Sequence, residues 1–354
     1  MSFLAVALSG GVDSTAAALL LRRRWERMAG ASHFIWPGSR CCSSEVMGRA
    51  RAVCARLGIP YFQVDLHREF KERVAQDFIA AYLQGRTPNP CVVCNASIRF
   101  SLFYGRLEEL LREQGHLASG EALSFSTGHY ARIEKTPGGT FLAKARDPLK
   151  DQTYMLYRVP RQMLERLVFP LGDYLKSEVA RIAAENGFDF AQVKESQDAC
   201  FVEGDYAEFI VRQTGREELL RPGPIVDTRG RRLGSHRGAI RYTVGQRRGL
   251  GLGTGPWYVT RVEPETNRVV VGRREEARTP CFLVQGLNWF GEEPSAPLRC
   301  GVKIRYQSRE VPCRVVPEEG GRLTVILDRP EVVTPGQSAV FYDRALVLGG
   351  GVIL

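Results

Sequence analysis

The amino-acid sequence predicts an α/β fold: a parallel sheet with helices, then a small linking domain and a C-terminal β-barrel. Short apolar runs alternate with helical patterns over residues 1–130, which is typical of an open parallel sheet. Glycine and proline are dense from Pro222 to Pro256, with short strands between turns. From about Arg278 to Leu354, short strands follow one another closely, which favours a small barrel. The predicted domains are residues 1–204, 205–275 and 276–354.

Composition narrows the class of protein. The chain has 354 residues, of which 44% are hydrophobic and 25% charged, as in ordinary globular proteins. Its net charge of +10 suits a polyanionic partner such as RNA, although many basic proteins have no such partner. There is no charged leader and no apolar run of membrane-spanning length, so we expect a cytoplasmic protein without a membrane partner. In a reducing compartment, the nine cysteines are expected to be thiols, metal ligands or catalytic groups.

The first strand and helix enclose a glycine-rich turn. The run Phe3–Leu8 is continuously apolar, as in a buried parallel strand, and strong helix formers begin at Thr15. Further strands are expected at Ser32–Trp36, Tyr61–Asp65 and Leu123–Gly128, and helices near Ser43–Leu57, Glu69–Leu83 and Ile98–Arg112. Ligands of such sheets bind beyond the carboxyl ends of the strands. The turn, His33 and Gly128 are therefore expected to face one crevice.

After residue 130 the sequence predicts a hairpin, two further helices and then the strands of the barrel. A hairpin is expected over Tyr130–Lys144, and helices follow near Arg161–Leu167 and Leu175–Asn186. The barrel strands are expected at Cys281–Val284, Leu298–Tyr306, Val311–Val316, Arg322–Leu327, Ser338–Tyr342 and Ala345–Leu348.

The glycine-rich turn, Ala7-Leu8-Ser9-Gly10-Gly11-Val12-Asp13-Ser14, has the composition of a phosphate-binding loop. Adjacent glycines let backbone N–H groups approach an anion at a helix N-terminus, and serine hydroxyls add donors. A carboxylate at Asp13 would repel phosphates unless it also served a cation, and Mg²⁺ on a pyrophosphate is the natural one. No Gly-Lys-Ser/Thr follows, so the turn is not a Walker loop. It resembles the SGGxDS motif of the PP-loop ATP pyrophosphatases; the alternative is an ordinary strand-to-helix turn that requires glycine.

A second stretch, Gly85–Asn95, contains the pair Cys91-x-x-Cys94. Prolines on both sides of Asn89 predict a rigid, extended loop. A CxxC pair can be half of a zinc site, a redox dithiol or two ligands of an iron–sulfur cluster. No second CxxC completes a zinc ribbon, and a thioredoxin-like pair would begin a helix rather than lie in a proline-stiffened loop. A partner elsewhere is expected, and Cys200, in a polar loop, is the best candidate.

The other cysteines carry less information. Burial as small apolar side chains is expected for Cys54, Cys281, Cys300 and Cys313. No role is assigned to Cys41 and Cys42.

Over nearly its whole length, the chain resembles the tRNA-specific 2-thiouridylase (MnmA) family of PP-loop enzymes. The matching segments are Ser9–Ser14, Arg86–Pro90, Cys94-Asn95, Thr127–Ala131, Lys150–Tyr154, Ser196–Asp198 with Cys200-Phe201, Tyr242–Leu250 and Lys303–Tyr306. The resemblance implies that ATP adenylates the C2 oxygen of the wobble uridine in tRNA, and that sulfur then displaces AMP. It also implies Mg²⁺, tRNAs of the glutamate, glutamine and lysine types, and a cysteine desulfurase or sulfur-relay protein as sulfur donor.

The resemblance also assigns roles to single residues. ATP would be bound by Ala7, Leu8, Ser9, Gly10, Gly11, Val12, Asp13, Ser14, His33 and Gly128. The target base would be lined by Asn89, Pro90 and Cys91, and tRNA would be contacted by Lys150, Asp151, Gln152, Arg305 and Tyr306. The implied catalytic residues are Cys94 as nucleophile, Cys200 as persulfide carrier, Cys91 and Asp13. His33 replaces the hydrophobic residue usual at its position, which a backbone contact to adenosine would tolerate; its side chain would otherwise be a core imidazole.

Cys91 departs from the family pattern, because many members have aspartate there. With Cys94 and Cys200 it supplies three thiolates, the number that a 4Fe–4S cluster with one open iron needs. Two mechanisms stay open: a Cys200 persulfide released by disulfide formation with Cys94, or a cluster on the three thiolates that presents hydrosulfide. The aspartate-to-cysteine change favours the cluster.

Two other functions are alternatives. A different PP-loop enzyme, such as an amidotransferase-type synthetase or a lysidine-forming tRNA ligase, would not need the three cysteines. A non-catalytic RNA-binding protein would use the barrel as its platform, and the intact Ser9–Ser14 loop argues against it.

Overall fold

A computed structural model of the protein describes residues 3–39, 42–188, 199–253 and 255–354. Five strands of its N-terminal part form an open parallel sheet. The first seven strands are β1 (Phe3–Ala7), β2 (Met28–Phe34), β3 (Tyr61–Asp65), β4 (Leu123–Ser126), β5 (Arg132–Thr136), β6 (Gly139–Ala143) and β7 (Leu167–Val168). The order in the parallel sheet is β3-β2-β1-β4-β7. The predicted fold class is confirmed for this part of the chain.

Helices cover both faces of this sheet. They are α1 (Val12–Arg22), α2 (Ser44–Leu57), α3 (67–83), α4 (90–113), α5 (Thr153–Leu156), α6 (Lys176–Glu185) and α7 (Tyr206–Thr214), with 3₁₀ turns at Arg161–Arg166, Pro170–Asp173, Glu217–Leu220 and Ala239–Arg241. Helix α2 shows why the sequence folds as predicted here: the Ser43 side chain accepts a hydrogen bond from Val46 N, and Gly58 ends the helix at φ +63°. Among the described helices, none is both long enough and apolar enough to span a membrane.

Strand β1 is buried on both sides, as its continuous apolar run predicts. Phe3, Ala5 and Ala7 face one apolar cluster, which also contains side chains of α3 and α4. The alternate residues face a second cluster with α1 and α2. Both faces of this central strand are therefore covered.

A mixed sheet and an antiparallel barrel follow. A small four-stranded sheet has the order β10-β11-β8-β9. Its strands are β8 (Gly223–Asp227), β9 (Arg232–His236), β10 (Tyr258–Glu263) and β11 (Arg268–Gly272). The last six strands form a barrel that the pairing of its first and last strands closes. They are β12 (Thr279–Trp289), β13 (Leu298–Lys303), β14 (Val311–Glu318), β15 (Arg322–Glu331), β16 (Ser338–Asp343) and β17 (Leu346–Ile353).

The β5–β6 hairpin joins the N-terminal part to the barrel. Strand β6 pairs with β17, with Ala143 opposite Leu346, so the hairpin extends the barrel sheet. Next to it, the Lys144 ammonium lies 2.5 Å from a Glu310 carboxylate oxygen. The sequence predicts the hairpin but not this pairing. The domain boundaries near 204 and 275 stay predictions.

One prediction about the cysteine pair is wrong. The extended segment ends at Asn89, and helix α4 begins at Pro90, so Cys91 and Cys94 lie in its first turns rather than in a loop. Proline suits the first helical position because its missing N–H would have no partner there. The predicted helix start at Ile98 was therefore eight residues late.

Candidate active site

The loop after β1 closes on the start of α1. Gly10 has φ +63°, and a Cβ there would lie 2.5 Å from Val46 O, so only glycine fits. Ser9 N donates a hydrogen bond to Ser14 Oγ at 3.2 Å, and Ser14 Oγ donates to Gly11 O at 3.2 Å. The loop thus sets backbone N–H groups at a helix N-terminus, where anions bind.

The end of β4 packs directly on this loop. A Cβ on Gly128 would lie 2.7 Å from Ser14 N and 2.8 Å from the carbonyl carbon of Asp13. The structure therefore brings two of the predicted nucleotide-binding segments together. Glycine is required because the backbones of the two segments touch.

The Asp13 carboxylate lies beside a cation that sequence reasoning missed. Lys176 Nζ donates to both carboxylate oxygens at 2.8 Å, and the Tyr130 hydroxyl donates to Oδ1 at 2.9 Å. Lys176 is the first residue of α6, where a positive charge opposes the helix dipole. That misplaced charge is the sequence signal that would have pointed to it.

His33 lies near the end of β2 and is half-buried. Its ring packs on Phe103 with centroids 4.9 Å apart. Burial, and secondarily the charge of Arg99, lowers the pKa of His33 to about 3. Among the described residues, its Nε2 is buried without a hydrogen-bond partner. The low pKa keeps this half-buried imidazole neutral.

The three predicted thiols lie in different environments. Cys94 is buried, Cys200 is half-buried, and Cys91 is exposed. Burial of the thiol within this otherwise exposed residue raises the pKa of Cys91, which the charge of Arg99 partly opposes. Within the described ranges, no three His, Cys, Asp or Glu side chains converge closely enough to hold a metal ion. The segment before Cys200, including Ser196–Asp198, lies outside the described residues, as does Cys41.

Arg99 is a second residue that sequence reasoning missed. Its Nη1 donates to Asn95 Oδ1 at 2.5 Å and lies 3.5 Å from His129 Nε2. His129 Nδ1 in turn lies 2.6 Å from Thr127 Oγ1. Burial, and secondarily the Arg99 charge, holds the pKa of His129 well below its usual value. The sequence signal was a charge among the apolar residues of α4, directly before Phe100.

Hydrogen bonds hold the segment before Cys91 against the barrel. Thr87 N donates to Pro335 O at 2.9 Å, and Gln337 Nε2 donates to Thr87 O at 2.8 Å. Beneath Asn89 lies a cavity of about 330 Å³, between α3 and the barrel. Of the three predicted base-lining residues, Asn89 alone borders this cavity.

Two residues of the predicted tRNA-contacting segment Lys150–Gln152 make hydrogen bonds within the protein. Asp151 is buried, and its carboxylate accepts hydrogen bonds from Ala145 N at 3.0 Å and Thr153 Oγ1 at 2.8 Å. Gln152 Oε1 accepts from Tyr130 N at 2.9 Å. The segment therefore also supports the Tyr130 backbone next to the ATP loop.

Arg305, a predicted tRNA contact, is half-buried, and its guanidinium is hydrogen-bonded within the protein. Its Nη2 donates to Val332 O at 3.1 Å and Thr334 Oγ1 at 2.8 Å. Burial lowers its pKa from the usual value. Thr334 Oγ1 donates to Val244 O at 3.0 Å, so Arg305 helps join the barrel to the middle sheet.

Comparison with known families covers the chain in three consecutive parts. Residues 2–204 match the tRNA methyl transferase HUP domain, residues 208–273 the tRNA methyl transferase PRC-barrel domain, and residues 279–353 the aminomethyltransferase beta-barrel domain. This order agrees with the observed parallel sheet, middle sheet and barrel.

Individual proteins are similar over the same length. The tRNA-specific 2-thiouridylase MnmA of Chloroflexus aggregans is 43% identical over 99% of this chain and 98% of its own. The bifunctional protein NifU/MnmA of Rubrobacter xylanophilus is 45% identical over 98% of this chain and 69% of its own. The solved U34-tRNA thiolase NcsA from Methanococcus maripaludis, with its 4Fe–4S cluster, has a TM-score of 0.32 and 16% identity, covering 61% of this chain and 66% of that one. On its full-length sequence similarity and its three matched domains, the chain belongs to the tRNA-specific 2-thiouridylase (MnmA) family.

Proposed function

We propose that this protein is a tRNA-uridine 2-sulfurtransferase that uses ATP to replace the C2 oxygen of the wobble uridine with sulfur. The observation that carries the proposal is the contact between Gly128 and the Ser9–Ser14 loop. His129, the next residue, lies beside Arg99 of helix α4, which also carries the thiols of Cys91 and Cys94. The phosphate-binding loop and the helix that carries two of the thiols are thus connected by a short chain of contacts. That combination suits a reaction in which one group is activated by ATP and then displaced by sulfur.

ATP solves the problem of a poor leaving group. The C2 oxygen of uridine attacks the α-phosphorus, the bond between the α-phosphorus and the bridging oxygen breaks, and pyrophosphate leaves. The loop N–H groups and the Lys176 ammonium beside Asp13 would hold the phosphates. The Asp13 carboxylate and the Ser9 and Ser14 hydroxyls are hard oxygen donors of the kind that Mg²⁺ takes. When bound, Mg²⁺ would offset charge on the pyrophosphate.

For the sulfur step we favour the persulfide route. The Cys94 thiolate attacks the inner sulfur of a Cys200 persulfide, and hydrosulfide is released as the Cys94–Cys200 disulfide forms. Hydrosulfide attacks C2, loses its proton, and AMP leaves with the former C2 oxygen. An external dithiol then reduces the disulfide. Cys94 and Cys200 border the same apolar cluster, so a local rearrangement of the Cys200 turn could bring them together.

The cluster route fits the described residues less well. Cys91, Cys94 and Cys200 do not converge on one point among the residues that the structure describes. A cluster needs its thiolate ligands around one small inorganic core. The persulfide route needs no shared ligand site, so we place the chemistry on Cys94 and Cys200.

The partners follow from the chemistry and from the family. The net charge of +10 suits tRNA, and the glutamate, glutamine and lysine tRNAs are the expected substrates. A cysteine desulfurase or a sulfur-relay protein is the expected donor of the persulfide sulfur. The cytoplasm is the expected location.

A thiolation assay under anaerobic conditions tests the proposal. Unmodified tRNA, Mg-ATP, cysteine, a cysteine desulfurase and a dithiol reductant are incubated with the protein, and the RNA is run on a mercury-containing gel. We expect an ATP-dependent retarded band that Cys94→Ser and Cys200→Ser each reduce at least 100-fold. Cys281 was expected to be buried, but it is exposed on the barrel. Cys281→Ser is therefore the matched control, with activity unchanged.

The other outcomes are informative. tRNA-dependent AMP release without thiolation would support the adenylation step and reject the roles assigned to Cys94 and Cys200. Neither product would favour another PP-loop reaction. We expect Cys91→Asp to remain active and the purified protein to hold no stoichiometric iron. Iron-dependent activity that Cys91→Asp abolishes would replace the persulfide route by the cluster route.

A further inference from the structure

Arg99 lies between His129, the residue after Gly128, and the thiol-bearing start of α4. It lies on α4, five residues after Cys94, and its Nη1 donates to Asn95 Oδ1 at 2.5 Å. Asn95 Nδ2 donates to Met155 O at 2.9 Å, which fixes the amide that orients the guanidinium. On the other side, Nη1 lies 3.5 Å from Nε2 of His129, the residue after Gly128.

The charge of Arg99 is not balanced by a carboxylate. Its side chain is half-buried, and none of the ion pairs between described residues includes it. Its neighbours Asn95 and His129 are uncharged, because burial keeps the imidazole neutral. A cation removed from water is costly unless an anion or strong acceptors replace the lost hydration. Because the guanidinium has further N–H donors beside those in these contacts, it is suited to bind an anion that a ligand supplies.

The proposed reaction supplies one anion that must lie at this junction. The α-phosphate is bonded to adenosine and, in the adenylated intermediate, to the uridine C2 oxygen as well. It therefore sits where the nucleotide crevice meets the base and the thiols. The planar guanidinium matches the geometry of two phosphate oxygens, which an ammonium does not.

We propose that Arg99 is a binding site for the α-phosphate, which it holds during adenylation of the uridine and as AMP departs. This rests on the proposed function. Lys176 and the loop then hold the pyrophosphate, and Arg99 holds the part that stays with adenosine. In the sulfur step, the C2–O bond breaks and its electron pair goes to the AMP phosphate, where Arg99 offsets the added negative charge.

Binding of AMP and adenosine tests this without the reaction. Calorimetry with Mg²⁺ measures both Kd values for the full chain and for Arg99→Gln, Arg99→Lys and Arg106→Gln. Arg106 lies on the same helix and pairs with Glu69 at the surface, so Arg106→Gln is the matched control. We expect the wild type and the control to prefer AMP over adenosine at least tenfold. In Arg99→Gln the preference falls to about one, with adenosine binding unchanged, and Arg99→Lys is intermediate.

Each other outcome counts against the phosphate site. An unchanged AMP preference in Arg99→Gln would overturn it, as would a wild type without any AMP preference. If Arg99→Gln does not fold, Arg99→Lys decides, because full retention of the preference would reject the bidentate role. Thiolation by the wild type is scored separately, so failure of the proposed function and failure of the Arg99 site are distinguishable.

Discussion

Lys176 and Asp13 form a charge pair at the mouth of the ATP loop, and the pair explains a residue that is otherwise misplaced. A carboxylate beside phosphates is repulsive, and the ammonium at 2.8 Å from both of its oxygens removes that repulsion. We therefore expect Lys176→Gln to lower the affinity for an ATP analogue at least tenfold. Hydrogen bonds to charged groups are worth about 1.5–3 kcal/mol, which is enough for this change.

Calorimetry with Mg²⁺ and α,β-methylene-ATP, which cannot be cleaved at the α–β position, measures the effect. Arg181→Gln is the control, because Arg181 lies on the same helix and pairs only loosely with Glu185 at 3.7 Å. The double variant Lys176→Gln with Asp13→Asn should bind the ATP analogue more tightly than the sum of the two single losses in binding free energy predicts. A lower free energy of unfolding with unchanged affinity would make the pair structural only.

At the residue scale, the sequence predicts the chemical types at the site better than their partners. The Ser9–Ser14 loop is recognisable because its glycines and hydroxyls are adjacent in sequence. Lys176 reaches Asp13 across 163 residues, and no local pattern records that contact. Arg305 was expected to contact tRNA, and its bonds to Val332 and Thr334 depend on tertiary packing, which no local pattern records.

Among the elements, the approach of β4 to α1 is the most constrained feature of the site. Gly128→Ala places a Cβ 2.7 Å from Ser14 N, and both sides of this contact are backbone, so α1 must shift. We expect at least tenfold weaker binding of the ATP analogue, and a loss of about 1–3 kcal/mol in the free energy of unfolding. Calorimetry and urea unfolding measure the two effects.

Gly105→Ala is the matched control for this substitution. Gly105 lies within α4, and a Cβ there would meet nothing within 4 Å. It should raise the free energy of unfolding by up to about 1 kcal/mol through helix propensity, with affinity unchanged. Equal affinity in Gly128→Ala and the wild type would show that the loop does not need this contact.

Element boundaries followed local signals where these were strong. Strand β3 occurs as predicted at Tyr61–Asp65, and Ser43 and Gly58 mark the ends of α2. Strand β12 was predicted as Cys281–Val284, but it runs from Thr279 to Trp289. Gly286, at φ +61°, interrupts its alternation, and the pairing with β17 shifts register there. Continuation through such a bulge depends on the partner strand, which the local sequence does not specify.

At the scale of the whole molecule, three sheets meet around the segment before Cys91. The hairpin β5–β6 extends the barrel sheet, Thr87 bonds to the barrel, and Thr87 Oγ1 donates to Thr243 Oγ1 of the middle part at 3.2 Å. Sequence patterns predicted each unit because each has its own local periodicity. They could not predict how the units join, because these contacts bridge distant residues. The barrel therefore helps to set the position of the thiol-bearing helix.

This joining predicts how tRNA binding responds to Arg305. With a net charge of +10, the wild type should bind tRNA with an affinity that falls steeply between 50 and 200 mM KCl, by about 10³-fold for six phosphate contacts. Arg305 Nη2 is already bonded to Val332 O and Thr334 Oγ1, so we expect Arg305 to act by holding the barrel against the middle part of the chain. Arg305→Gln should weaken binding about tenfold without changing the salt slope. Arg305→Lys should weaken it equally, because lysine keeps the charge but not the geometry of the two bonds. Filter binding across the salt series measures both quantities. A slope reduced by about one in Arg305→Gln, with rescue by lysine, would instead make Arg305 a direct phosphate contact.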